Sequence, residues 1–125
     1  MTINDAISIV DEMKPNMMSR ELKLKYLTEC EQLIHSEILM KHEHPAEQDA
    51  RPKYTVESNP ETELLAPDPY GEVYVHYIIT QIDRQNQEDG RYNIDRAHFE
   101  NQYNAMSDWW TRNKMPIQKT REFRL

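Results

Sequence analysis

The residues of this chain whose types and spacing best suit chemistry are His42, Glu43 and His44. Imidazole and carboxylate groups are common zinc ligands, and a working zinc site needs three or four ligands in fixed geometry. The two histidines lie in a polar stretch without helical or strand periodicity, and the spacing indicates no third ligand. The sequence therefore favours a solvated loop here, and no metal or other cofactor is expected. A metal enzyme using His42 and His44 is kept as a third hypothesis.

Nucleophilic chemistry has even less support. Cys30 is the only cysteine, which excludes an internal disulfide, and it lies among Leu27, Leu33 and Ile34. No motif places a base beside it, so a buried apolar thiol is favoured over a nucleophile. No nucleophile elbow, phosphate loop or dinucleotide fingerprint occurs. The acid pairs Asp11-Glu12, Glu61-Glu63 and Glu88-Asp89 fit solvated faces and turns. We therefore predict that the chain is not an enzyme.

The composition favours one helical domain. The chain has 125 residues, two glycines, 38% hydrophobic residues and a net charge of −7. Few glycines argue against a sandwich or barrel, which need repeated turns. The negative charge argues against a basic face that binds nucleic acid. No run approaches the roughly 18 apolar residues of a membrane span, and acid precedes the first apolar residues, so no secretory signal is expected.

Apolar residues at steps of three and four predict a small all-α bundle of about four helices. Thr2 or Asn4 caps the first helix, whose buried stripe includes Met13, and Ser19 caps the second. Asp68 caps the third, with Pro69 in its first turn and Asp89-Gly90 at its end. The predicted helices run from about residue 3 to 13, 20 to 40, 70 to 86 and 91 to 113.

Two of these helices have unusual apolar patterns. Residues 73–79 read V-Y-V-H-Y-I-I, which also suits a strand, although the 3.6-residue period fits better. The apolar positions of the second helix cover an arc of roughly 200°, more than one core-facing stripe needs. That helix is therefore either central in the bundle or shared with a neighbouring subunit.

Two segments have no place in the bundle. Residues 41–60 contain three prolines and form a long loop that is either disordered or docked on something else. Within it, Tyr54 to Val56 suits a short extended piece that pairs with a partner's edge. Residues 117–125 form a basic C-terminal arm after the domain of residues 1–116. Its apolar anchors are Ile117, Phe123 and Leu125, and its charged contacts are Lys119, Arg121 and Arg124. We predict that both segments become ordered only against other chains.

The aromatic residues exceed what a small helical core requires, and tyrosine and tryptophan serve interfaces well. Core packing is favoured for Tyr74, Tyr77, Phe99 and Tyr103. Adjacent tryptophans on a helix point in different directions, so one is predicted to be core and the other to face a partner or the long loop. The predicted subunit or partner interface comprises Tyr54, Val56, Leu64, Leu65, Tyr70, Trp109 and Trp110.

Four stretches carry a family resemblance. Residues Pro15 to Glu29 read PN-x-x-S-x-E-x-K-x-x-x-L-x-E, and Thr62 to Asp83 read T-E-L-L-A-P-x-P-Y-x-x-x-Y-V-H-Y-I-x-x-Q-I-D. RYN follows at Arg91 to Asn93, and WTRNKMP at Trp110 to Pro116. Together they resemble the head–tail adaptor (connector or neck) proteins of tailed bacteriophages and prophages. The resemblance covers nearly the whole chain apart from the 41–60 loop.

The resemblance implies a structural role in the virion neck, after assembly in the host cytoplasm. Such subunits form a homo-oligomeric ring, usually of about twelve copies, beneath the portal protein. The ring continues the DNA channel without sequence-specific binding and offers a platform to the next neck or tail protein. A C-terminal extension commonly grips the portal, which implies that role for residues 117–125. An acidic lumen would suit DNA transit because it repels phosphates.

A second hypothesis comes from another class of protein. It is a monomeric helical module with a regulatory or chaperone-like role, which binds a peptide in a groove lined by Trp109, Tyr103 and Tyr77. Finding the protein in purified virions, or failing to find it there, separates the two hypotheses.

Overall fold

The computed structural model describes residues 1–117 and shows a bundle of four α-helices. Two single turns of 3-10 helix lie in the long connection between the second and third helices. No strand occurs within residues 1–117, so the all-α prediction is confirmed and the strand alternative at 73–79 is wrong. The helices are α1 (Ile3–Met13), α2 (Arg20–Glu37), α3 (Glu72–Gln85) and α4 (Asp89–Asn113), and the 3-10 turns are Leu39–Lys41 and Ala46–Gln48.

The first two helices begin where local capping predicts. The Thr2 hydroxyl accepts from the backbone N–H of Asp5, whose carboxylate accepts in return from the Thr2 N–H, a complete capping box. Ser19 caps α2 by accepting from the Leu22 N–H at 3.1 Å. Met13 departs from the prediction, because it is 56% exposed at the last residue of α1. Only the earlier members of the α1 stripe reach the core.

α2 packs against α1 and α3, and both sides of its wide apolar arc are covered by its own chain. Leu24, Leu27, Cys30 and Ile34 are buried against α1 and α3. Residues 48–54 of the long connection run along the other side, held by side chains of α2. α2 ends at Glu37 rather than near residue 40, and the chain continues directly into the first 3-10 turn.

α3 is buried on several sides, which explains its strand-like composition. It contacts α1, α2 and α4, so apolar and β-branched residues are needed around most of its circumference. Its start was predicted wrongly: α3 begins at Glu72, and Asp68 does not cap it. Residues 67–70 form a separate turn in which the Tyr70 N–H donates to the Pro67 carbonyl at 2.7 Å.

α4 is the longest helix and buries the least of its surface. Phe99, Met106 and Trp110 are its buried residues and form the seam against α3. It begins at Asp89, so Asp89 and Gly90 lie in its first turn and do not end α3 as predicted. The reversal between α3 and α4 occurs instead at Gln87, which takes the left-handed conformation with φ of 58°.

Candidate interaction surfaces

A buried glutamate of α2 organises the connection between α2 and α3. Glu31 is fully buried, and its Oε2 accepts from the Tyr54 hydroxyl and from the Leu65 backbone N–H, each at 2.9 Å. Its Oε1 accepts from the Tyr74 hydroxyl of α3. One carboxylate therefore ties α2 to α3 and to two separate parts of the intervening chain.

The electrostatics of this cluster follow from its burial. Burial raises the pKa of Glu31, and the hydrogen bonds from Tyr74, Leu65 and Tyr54 offset part of that increase. Burial and the neighbouring Glu31 carboxyl also raise the pKa values of the Tyr54 and Tyr74 hydroxyls, which keeps both groups as donors. The sequence reasoning missed Glu31, because at a single position of a helix it carries no motif.

The long 41–60 loop is ordered on its own bundle, which corrects the prediction that it is ordered only against other chains. The Gln32 side chain donates to the Pro52 carbonyl at 2.9 Å, and a ring nitrogen of His35 lies 2.9 Å from the Gln48 carbonyl oxygen. Arg51 donates to the Gln32 side-chain oxygen at 2.9 Å. These polar groups of the loop are therefore satisfied on α2 without a partner.

The predicted extended piece at Tyr54 to Val56 is also corrected. The Tyr54 N–H and C=O both bond to the Thr28 hydroxyl, at 3.1 and 3.3 Å, so neither group is free to pair with another chain's edge. From Thr55 the chain turns, and the Ser58 N–H donates to the Thr55 carbonyl at 2.9 Å. Val56 lies on this turn and is 55% exposed, which keeps it available as an interface residue.

An open cleft of about 370 Å³ separates this turn from the first half of α2. Its walls combine apolar side chains with two acidic and two basic ones, Glu21, Glu29, Lys25 and Lys53, with α2 on one side and the loop on the other. Among its lining residues are Glu21, Leu24, Thr28, Glu29, Tyr54 and Val56. It is the described cleft best suited to an apolar side chain from another molecule.

Residues 115–117, at the end of the described part of the chain, pair with residues 41–43. The Glu43 N–H donates to the Met115 carbonyl at 2.8 Å, and the Ile117 N–H donates to the Lys41 carbonyl at 2.9 Å. His42 and Pro116 lie opposite each other in this antiparallel bridge. Ile117 is exposed. The other predicted arm residues, Lys119, Arg121, Phe123, Arg124 and Leu125, lie outside the described residues.

The predicted interface residues divide between core and surface. Leu64 and Trp110 are 7% and 5% exposed, so both belong to the core of the chain, which corrects their assignment to an interface. Burial follows for Leu64 because residues 62–64 pair with residues 1–3, through the Leu64 N–H to Met1 carbonyl bond of 3.0 Å among others. The half-buried members Tyr54, Leu65, Tyr70 and Trp109 pack against the edge of that core.

The tryptophan pair takes the predicted arrangement in part. Trp110 is the core member, and Trp109 packs against it edge to face with ring centroids 5.5 Å apart. Trp110 Nε1 is buried and has no hydrogen-bond partner within residues 1–117. Whether the half-buried Trp109 meets a partner stays a prediction.

The aromatic residues proposed for a peptide groove do not line one cleft together. Tyr77 and Tyr103 flank Phe99, with ring centroids 5.3 and 5.6 Å from it. Their hydroxyls donate to Glu29 and Glu37 of α2, at 3.0 and 2.6 Å. A cleft of about 260 Å³ beside them is lined by Tyr77 and Phe99 but by neither Tyr103 nor Trp109. Their main role is to join α3 and α4 to α2.

The two loop histidines are more ordered than a solvated loop implies. His42 is buried, with Nδ1 2.8 Å from the Ile38 carbonyl oxygen. His44 Nδ1 lies 2.7 Å from the His42 carbonyl oxygen, and its Nε2 lies 2.6 Å from Asp49 Oδ1. These two acceptors, the His42 carbonyl first, raise the pKa of His44. In the part of the chain that the structure describes, no group of three histidine, cysteine or acidic residues is placed to hold a metal ion.

Three ion pairs were missed by the sequence reasoning, which assigned Asp11 and Glu88 to solvated faces and turns. Lys23 Nζ lies 2.6 Å from Asp11 Oδ1, joining α2 to α1. Lys14 Nζ bonds both to Asp83, which is fully buried, and to Glu88 at 2.9 Å. Nothing in the sequence marks these partners, because Lys14 and Asp83 are 69 positions apart.

Across residues 1–117, no helix has both the length and the apolar character to cross a membrane. No family model, curated protein or solved structure matches this chain.

Proposed function

We propose that this protein is a head–tail adaptor of a tailed bacteriophage or prophage. In this role it is a virion structural protein without enzymatic activity. Copies of the chain form a ring beneath the portal, which the resemblance puts at about twelve subunits, through side-by-side contacts that close. The ring continues the DNA channel and carries the next neck or tail protein.

The observation that carries this proposal is the anchored start of the arm. The Ile117 to Lys41 hydrogen bond holds the last described residue beside the 3-10 turn that follows α2. Residues 118–125 contain three basic side chains and one acid, so residues 1–117 carry a charge of −9 against −7 for the whole chain. A basic segment on an acidic body is suited to reaching a different partner, here the portal.

Two further features support the proposal. The body keeps large apolar side chains exposed, which suits contacts between neighbouring copies. They are Met13, Met17, Val56, Ile94, Met115 and Ile117. The negative charge of the body also suits a lumen through which DNA passes without binding. The 41–60 loop no longer supports the proposal, since it folds onto its own bundle.

The test is capture of the purified portal protein encoded by the same genome. Deleting residues 118–125 spares the Ile117 to Lys41 bond, so we expect a folded helical protein that no longer co-sediments with portal. A full-length control with Phe123→Ala and Leu125→Ala separates apolar anchoring from charge. Unchanged portal binding by the truncation contradicts the arm assignment. Absence of the protein from purified virions, measured by mass spectrometry, contradicts the adaptor function itself.

A second candidate is a regulatory module that binds a peptide. The cleft between Val56 and α2 favours it, since this cleft offers apolar walls with charged groups of both signs around them. A peptide with one apolar side chain suits that cleft. Under this alternative, Val56→Asp abolishes peptide binding and the protein is missing from virions, whereas an adaptor is present in them.

A further inference from the structure

A buried aspartate at the junction of α1, α3 and α4 lacks one hydrogen-bond partner. Asp83 of α3 is fully buried, and its Oδ1 accepts from Lys14 Nζ. Its Oδ2 is closed to solvent and has no donor within residues 1–117. A buried carboxylate oxygen without a donor is rare in a folded protein and requires a physical explanation.

Asp95 of α4 is the group that can supply that donor. It is within hydrogen-bonding reach of Asp83 and shares a cleft with Lys14, Glu88 and Arg91. Asp95 is also one helical turn before the buried Phe99, on the side of α4 that faces α3. An ionised aspartate has no hydrogen to donate, whereas a protonated one donates a single O–H.

We propose that Asp83 and Asp95 share one proton, held on Asp95 and donated to Oδ2 of Asp83, and that this bond fastens the N-terminal half of α4 to α3. The bond satisfies the enclosed oxygen without moving a helix. It also leaves Lys14 facing two ionised carboxylates, those of Asp83 and Glu88, and a neutral third.

The charges around the pair agree with this arrangement. Burial first, and then the bond and the charge of Asp83, raise the pKa of Asp95 to about 6, while Lys14 and Arg91 act in the opposite direction. A cation from solvent is a poorer explanation, because the enclosed oxygen is not accessible and Lys14 already occupies the other oxygen.

The proton makes this junction sensitive to pH. Above about pH 6, Asp95 ionises, and the carboxylates of Asp83, Glu88 and Asp95 then face Lys14 and Arg91. Because the folded-state pKa of Asp95 is above its ordinary value of 3.8, its stabilising contribution is complete below 3.8 and is lost as pH rises through 6. The first part of α4 responds most, since no residue before Phe99 is buried.

A carbon-13 NMR titration of the aspartate carboxyls in the full chain tests the proposal. We expect Asp95 to titrate near pH 6 in the unaltered protein, and its pKa to move toward 3.8 in Asp83→Asn. Titration of both carboxyls at or below 3.8 in the unaltered protein overturns the proposal, since a water molecule would then satisfy Oδ2.

Stability measurements on a second variant do not depend on Asp83→Asn folding. Asp95→Asn keeps a donor for Oδ2 at every pH, so its urea midpoint should rise relative to the unaltered protein between pH 4.5 and about 7. Asp108→Asn, at an exposed aspartate on the same helix, is the matched control. Its urea midpoint should differ from that of the unaltered protein by the same amount at every pH. Parallel pH profiles for the two variants overturn the shared proton.

Discussion

The Tyr54 hydroxyl lies 2.9 Å from Glu31 Oε2, and this contact ties the middle of the α2–α3 connection to the centre of the bundle. The same oxygen accepts from the Leu65 N–H, so the connection is held on both sides of residues 55–62. A segment that the sequence left unplaced is thus anchored by one buried carboxylate.

Removing the Tyr54 hydroxyl should loosen the loop and leave the helices folded. Tyr54→Phe loses a hydrogen bond to a carboxylate, so we expect the free energy of unfolding to fall by about 1–2 kcal/mol. Hydrogen exchange should accelerate mainly in residues 44–56. Tyr70→Phe is the control, since the Tyr70 hydroxyl makes no hydrogen bond within residues 1–117. Equal effects from both variants would show that Tyr54 does not anchor the loop.

Glu31 and Glu29 offer a direct test of burial. Both glutamates lie on α2 and accept a hydrogen bond from a tyrosine hydroxyl of α3, but Glu31 is fully buried and Glu29 is exposed. Glu31→Ala leaves three donors without their acceptor, one of them the hydroxyl of the fully buried Tyr74, so a loss of about 3 kcal/mol or more is expected. Glu29→Ala should cost less than about 1 kcal/mol, because water replaces its carboxylate. Urea unfolding of the two variants measures the difference, and similar losses would contradict the assigned role of Glu31.

The adjacent tryptophans should behave differently. Trp110→Ala removes a buried side chain and should lower the free energy of unfolding by about 3–5 kcal/mol. Trp109→Ala removes a half-buried side chain and should lower it clearly less. If Trp109 contacts a neighbouring copy, Trp109→Ala weakens ring assembly while the monomer stays folded. Thermal unfolding and sedimentation velocity measure the two effects. A greater loss of stability from Trp109→Ala would contradict the packing described above.

The Asp11 to Lys23 pair should contribute to stability only above acidic pH. Burial alone would raise the pKa of Asp11, but the hydrogen bonds from Lys23 and Asn16 outweigh it and lower the pKa below 3.8. The contribution of the pair to stability is therefore present above pH 3.8 and is lost as pH falls through the folded-state pKa of Asp11. With screening at a half-exposed carboxyl, Asp11→Asn should cost about 0.5–1 kcal/mol at pH 7. Unfolding at several pH values should show this cost shrink as pH falls below 3.8, and Glu12→Gln, at the exposed neighbour, should show no such trend.

The arm's anchor can be removed at one backbone position. Ile117→Pro deletes the N–H that donates to the Lys41 carbonyl, and Ile117→Ala keeps it. We expect the proline variant alone to speed hydrogen exchange at the Glu43 amide, which bonds to Met115 in the same pair. Unchanged exchange at Glu43 would show that the pairing does not fix the arm.

Local signals explain what could be predicted. Thr2 and Ser19 cap their helices because a cap bonds within three residues, which is a distance that sequence reasoning covers. Asp68 has the same capping chemistry, yet α3 begins at Glu72, after a separate turn closed by the Pro67 carbonyl. The start of α3 is therefore decided by how the preceding turn folds, which no capping rule contains.

The sequence by itself determined that this is a four-helix protein, because helical periodicity and capping act between residues no more than four positions apart. It also carried the resemblance that first suggested the adaptor proposal. Only the tertiary structure decided which polar residues are enclosed. Glu31 meets Tyr54 and Tyr74 from 23 and 43 positions away, and Asp83 meets Lys14 from 69. Such partners are set by how helices pack, and an isolated acid in a helix gives no sign of whether packing will bury it.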